Sequence, residues 1–110
     1  MAYNESLAHR LENLVKGRKG FSQKKMFGGV GFLLNGNMCF GVHKDFLILR
    51  LGEDLSAEAL QKPHTKVFDI TGKPMKGWVL VHEQGTKSAA SLKEWIESAI
   101  GYVRTLPAKE

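Results

Sequence analysis

Cys39 and His43 are the only close cysteine–histidine pair in the chain, so they are the first place to look for metal or thiol chemistry. A shared zinc ion needs each ligand within about 2.3 Å, whereas residues four apart on a strand stand about 13 Å from one another on one face. A nucleophilic thiol needs a base beside it and some exposure; the apolar neighbours of Cys39 instead predict a buried, reduced, inert thiol. His9, His64 and His82 fall in separate elements, and no metal or cofactor is expected. The run Gly28-Gly29-Val30-Gly31 resembles a phosphate loop only in composition. A phosphate loop follows a strand, carries Lys-Ser/Thr and opens a helix, while these glycines enter a strand and fit positions of positive φ or a bulge. Serine chemistry lacks a G-x-S-x-G elbow, and Ser6, Ser56, Ser88 and Ser91 read as helix caps. Glu53-Asp54 suits the first turn of a helix, where the dipole alone accounts for it. No complete catalytic constellation emerges, and a non-enzymatic role is the expectation.

Two basic groups remain as candidate binding residues. Lys16, Arg18, Lys19, Lys24 and Lys25 crowd one stretch around Phe21, a pattern that suits phosphate contacts with an aromatic ring available for base stacking. The alternative is a solvated loop in which Phe21 anchors the chain to the core. Arg50 shares a strand face with Phe46 and Ile48, and the segment Lys73-Pro74-Met75-Lys76-Gly77-Trp78 supplies further cations and an indole. If Arg50 meets Trp78, a cation–π contact or an anion site follows; otherwise Arg50 bonds to Asp69 or to loop carbonyls.

The elements that must position these residues follow from periodicity. Leu7, Leu11, Leu14 and Val15 recur at helical spacing behind Asn4 as N-cap, with Gly17 as the C′ residue. Arg18 to Gly20 is a loop. Met26–Leu34, Asn37–Val42 and Phe46–Leu51 are predicted strands, joined by the type I′ signal Asn35-Gly36 and by a Lys44-Asp45 turn. Glu53–Lys62 is a short helix capped by Asp54 or Ser56 and stopped at Pro63. Val67–Ile70 and Gly77–His82 are two more strands around the turn Thr71-Gly72-Lys73-Pro74. A last helix spans about Ser88 to Arg104, starting at Ser88 or, through a Ser91/Glu94 capping box, three residues later. Leu47, Leu49 and Leu51 point to one sheet face and Phe46 and Ile48 to the other; Leu33 likewise opposes Val30, Phe32 and Leu34. A sheet apolar on both sides needs cover on both, from helices or a second subunit.

The predicted fold is an α+β two-layer sandwich of α-β-β-β-α-β-β-α order, with an antiparallel sheet of about five strands. A chain of 110 residues, 43% hydrophobic and 25% charged, fits one globular domain over 1–110. The start has no apolar signal region and no stretch reaches the roughly 20 residues of a membrane span, so a cytoplasmic location is expected. A net charge of +5 permits attraction to polyanions and equally serves solubility.

Lys25-Met26-Phe27-Gly28-Gly29 with Gly31, Asn35-Gly36-Asn37-Met38, Leu49-Arg50-Leu51-Gly52 and Thr71-Gly72-Lys73-Pro74-Met75-Lys76-Gly77-Trp78 together resemble the pattern of the N-terminal domain of TfoX/Sxy-type proteins. That resemblance implies a secretion-chaperone-like fold of the same element order and a regulatory role beside a transcription activator in natural competence. The longer regulators carry a C-terminal helical domain, and a chain ending at Glu110 is expected to be the stand-alone form. The leading expectation is a non-catalytic regulatory or protein-interaction domain, a homodimer or partner binder, using Arg50, Lys73, Lys76 and Trp78. Nucleic-acid binding through Lys16–Lys25 is the alternative, and an anion-binding small-molecule enzyme around Arg50 and Lys73 the third.

Overall fold

The computed structural model describes residues 3–26, 28–70 and 72–108; Phe27 and Thr71, both in the motifs quoted above, lie outside them. Helix α1 spans Glu5–Val15, with the Asn4 side chain accepting a hydrogen bond from the Leu7 amide at 2.9 Å as its N-cap. Strands follow at Phe21–Met26 (β1), Gly29–Leu34 (β2), Asn37–His43 (β3) and Phe46–Arg50 (β4). Helix α2 is Glu53–Ala59, β5 is Thr65–Val67 and β6 is Trp78–His82. A 3-10 turn at Glu83–Thr86 leads into α3, Ala89–Val103. All pairings are antiparallel, and the sheet order is β1-β2-β3-β4-β6-β5.

The α+β class stands, but the sheet has six strands where about five were expected. The additional one is β1. Its sequence FSQKKM pairs residue for residue with β2 while its middle four residues remain exposed, so between its end residues Phe21 and Met26 it is held by backbone bonds rather than by an apolar face. The glycines Gly28 and Gly29 therefore lie in and after a hairpin turn instead of inside one long strand, and Gly28 takes φ +71° there. Asn35 and Gly36 both have positive φ, 53° and 84°, as a type I′ hairpin requires. β5 falls earlier than predicted, at 65–67, and α2 stops at Ala59. Neither Asp54 nor Ser56 caps α2: Gly52 occupies the N-cap position with φ +83° and offers no side chain. Ser88 is the N-cap of α3, accepting from the Ser91 amide, so the earlier of the two predicted starts is the one adopted.

Both sheet faces are apolar, as the impure alternation indicated. Leu7, Leu11 and Val15 of α1 and Leu92, Ile96, Ala99, Ile100 and Val103 of α3 pack on the face formed by Phe32, Phe40, Leu47, Leu49 and Val79. Phe32 and Phe40 stack with centroids 4.9 Å apart. The opposite face carries Ile48 and Leu80, and it is closed by the chain itself. Phe68, fully buried, and Ile70 and Met75 fold over it, with the Met75 amide bonded to the Phe68 carbonyl at 2.9 Å. A second subunit is thus not needed to bury Ile48 and Leu80. No helix among the described residues is long and apolar enough to cross a membrane.

Candidate functional site

β4 and β6 bring the second basic group together. Their register sets Arg50 directly opposite Trp78, and the guanidinium carbon stands 5.3 Å from the indole centroid. This is the cation–π contact that the sequence allowed, and not an ion pair to Asp69. Arg50 also makes a long polar contact, Nη1 to the Met38 carbonyl at 3.5 Å. Trp78 is steadied from within by Phe68, ring centroids 5.3 Å apart. The strand ends are pinned by the Gly77 carbonyl, which accepts from the Leu51 and Gly52 amides at 2.8 and 3.1 Å. Arg50 and Trp78 are both partly exposed, so the pair forms a cationic aromatic patch at one end of the sheet.

Beside that patch runs an apolar groove of about 370 Å³ between α2 and residues 74–78. Leu60, Val67, Met75 and Trp78 form its walls, and Lys76 and Glu53 line it as the charged residues. Lys73 stays exposed in the preceding bend and does not line it. Ser56 also lines the groove. It is 5% exposed, and its hydroxyl has no hydrogen-bond partner among the described residues. Sequence reasoning took Ser56 for a cap and missed this; the available signal was a serine placed in the middle of a short helix, after Leu55, instead of at its start. A larger cleft of about 500 Å³ lies between α3 and residues 62–64 and 84–87, but it is the more polar of the two and Lys62 is already engaged over the Trp95 ring at 5.1 Å.

The first basic group disperses. Arg18 pairs with Glu97 of α3 at 2.9 Å and lies 5.9 Å from the Phe21 centroid. Phe21 in turn meets Phe40 at 6.1 Å, so it anchors β1 to the core and is not presented for stacking. Lys24 and Lys25 sit on the edge strand β1, not in a loop, and as neighbours on a strand they project to opposite faces. Lys16 is the C-cap residue of α1, and Lys19 is exposed in the loop that follows.

Cys39 is fully buried, and burial pushes its thiol up to about 12, against smaller opposing effects of Arg50 and Arg18. It also breaks the strand periodicity on which its spacing to His43 was reckoned. The β2–β3 pairing passes from Phe32↔Phe40 to Leu33↔Met38, so Cys39 is the extra residue of a β-bulge. Cys39 and Phe40 both enter the helix-side core, while His43 lies opposite Phe46, which packs against the other face. The two side chains therefore point to opposite sides of the sheet. Among the described residues no three His, Cys, Asp or Glu side chains gather around a common point.

Helices on one face of a six-stranded antiparallel sheet, with a short loop sealing the other, define the chain as a small α+β protein with a partly exposed aromatic–cation patch. The chain belongs to the TfoX N-terminal domain family, whose model matches residues 13–102. Comparison with curated proteins and with solved structures returned no match.

Proposed function

We propose that this protein is a non-catalytic regulatory domain that works by binding, self-association included, through the surface made by Arg50 and Trp78 with Lys73 and Lys76 near it. On this reading it acts in the cytoplasm, in the control of transcription or competence suggested by its family. The observation that carries the proposal is the Arg50–Trp78 pair, which is set face to face by the β4–β6 register yet remains partly exposed. Arginine and tryptophan are the residue types that most often carry interface energy, and a pre-ordered pair loses little side-chain freedom on binding. Sedimentation velocity over a wide concentration range tests it. A dimer that disappears in Arg50→Glu, with an unchanged circular dichroism spectrum, is expected; monomers throughout for both proteins would overturn self-association by this surface.

Nucleic-acid binding is the second reading, and the exposure of Lys16, Lys19, Lys24 and Lys25 speaks for it. It is the weaker one, because Arg18 and Phe21 are already committed to Glu97 and Phe40.

A further inference from the structure

We infer that the outer edge of β1 is a docking site for an extended, acidic segment of a partner protein, which adds to the sheet as a further strand. The inference is independent of the Arg50–Trp78 surface, which belongs to β4 and β6.

β1 stands at one end of the sheet order, and its six residues compare with three in β5 at the other end. Edges are commonly blunted by shortness, by bulges or by a covering segment, and β5 is short in this way. β1 instead pairs with β2 through all six residues without a register shift. The parity of the ladder fixes which of its backbone groups face outward. The Asn35 amide donates to the Gly20 carbonyl at 2.8 Å, and Phe21↔Leu34 is the next pair along. Ser22, Lys24 and Met26 therefore turn their backbone groups toward β2, while Phe21, Gln23 and Lys25 turn theirs away from it. Among the described residues no backbone other than that of β2 bonds to β1.

Charge and shape select the occupant. Lys24 and Lys25 flank the edge on its two faces, and Lys16 and Lys19 are exposed near its Phe21 end. Arg18 is paired with Glu97, and Glu12 accepts from the Gln23 side chain, so the uncommitted charge along the edge is positive. A second copy laid on β1 would set these lysines against their own kind, whereas a strand carrying Asp and Glu meets them with opposite charge. Nucleic acid would answer the charge but not the alternating row of backbone donors and acceptors, which suits strand addition. Beside the edge, between the end of α1 and β1, lies a hollow of about 320 Å³ lined by Val15, Phe21 and Phe32 with Glu12, Lys16 and Arg18. Alternate side chains of an added strand project to this helix side of the sheet, and the hollow admits one of them, an aliphatic residue between acids.

The probe is the capped heptapeptide Thr-Glu-Glu-Leu-Glu-Glu-Thr, with lysine in place of every glutamate in the control. Hydrogen exchange and amide chemical shifts of the unmodified protein give the reading. At saturation the peptide should slow exchange at Phe21, Gln23 and Lys25 by at least about fivefold and leave Ser22, Lys24 and Met26 unchanged, since β2 already holds those three. The lysine peptide should bind at least about tenfold more weakly, and the double variant Lys24→Glu/Lys25→Glu should invert that order. Both lysines are exposed, and an unchanged circular dichroism spectrum confirms that the variant is folded. Shifts without protection of the three outward amides would reduce the contact to charge attraction and overturn the proposal. So would equal binding of the two peptides, or of neither. Protection that grows with protein concentration in the absence of peptide would assign the edge to a second copy, and tighter binding of an oligothymidine strand at the same residues would assign it to nucleic acid; either result overturns the proposal.

Discussion

Gly31 and Gly41 face one another directly across the β2–β3 ladder, and the Met38 side chain lies over both. A Cβ on Gly31 would come within 2.6 Å of the Met26 sulfur and 2.9 Å of the Met38 sulfur, the ends of two flexible side chains. A Cβ on Gly29, by contrast, would overlap the Val42 carbonyl oxygen, which belongs to the backbone of β3. The two substitutions therefore separate sharply. Gly31→Ala should lower the free energy of unfolding by about 1 kcal/mol and Gly29→Ala by about 3 kcal/mol or more, read from urea titrations. Equal losses would mean that the β2–β3 backbone yields as readily as a thioether.

The Arg50–Trp78 contact is partly exposed, which limits its worth to stability. Arg50→Ala should cost about 1 kcal/mol in unfolding free energy, from the cation–π contact together with the packing of the aliphatic stem. Arg50→Lys should recover part of this but not the planar stacking. A shift of tryptophan emission toward the red in Arg50→Ala, retained in Trp95→Phe, would place the change at Trp78.

Hairpins and caps were the legible part of the fold. Asn35-Gly36, Asn4 and Ser88 each answer a local backbone requirement, and such requirements are written in the residues that meet them. β1 was not legible because Ser22, Gln23, Lys24 and Lys25 bury nothing; the strand exists through its partner's amides and carbonyls. The cover over Ile48 and Leu80 escaped for a related reason. Phe68 and Met75 act from a loop, where periodicity carries no information about which face they will reach. Of the site, the meeting of Arg50 with Trp78 was legible only as one of two alternatives, because strand parity does not say that β4 and β6 are neighbours. The burial of Ser56 depends on how α2 lies against residues 74–78, a matter of tertiary packing that no local pattern records.

The Cys39 thiol gives a prediction with a definite sign. Its pKa is raised from an ordinary 9.0 to about 12, so between these limits the unfolded state is ionised while the folded state still holds its proton. The associated stability is fully present below pH 9 and is lost as the pH rises toward 12, with a limiting slope of about 1.4 kcal/mol per pH unit. Denaturant titrations of wild type and Cys39→Ala across pH 8 to 11 should diverge in slope by about that amount. At pH 8 the native thiol should also resist alkylation and react only at the rate of unfolding.

The basic stretch is tested by a salt series. Because Arg18 is paired with Glu97 and Lys24 and Lys25 project to opposite faces, association with duplex or single-stranded DNA should be weak and fall steeply with salt. Reversing Arg18, Lys19, Lys24 and Lys25 should abolish what binding there is. Tight association that persists in this variant would remove the stretch from any nucleic-acid role.

The bulge at Cys39 makes one position of β3 dispensable to the pairing register. Leu34↔Asn37 and Leu33↔Met38 form the register of a two-residue turn, while Phe32↔Phe40, Gly31↔Gly41 and Val30↔Val42 form a register displaced by one residue. Cys39 absorbs the difference. Excising it would leave every one of these five pairs intact and turn β3 into a strand of unbroken alternation, with only a small buried side chain missing. Excising Met38 or Phe40 instead would remove a partner from the ladder. The register of this hairpin therefore survives the loss of one residue at Cys39, and what a shortened chain would have to make good is the space that its side chain fills in the helix-side core.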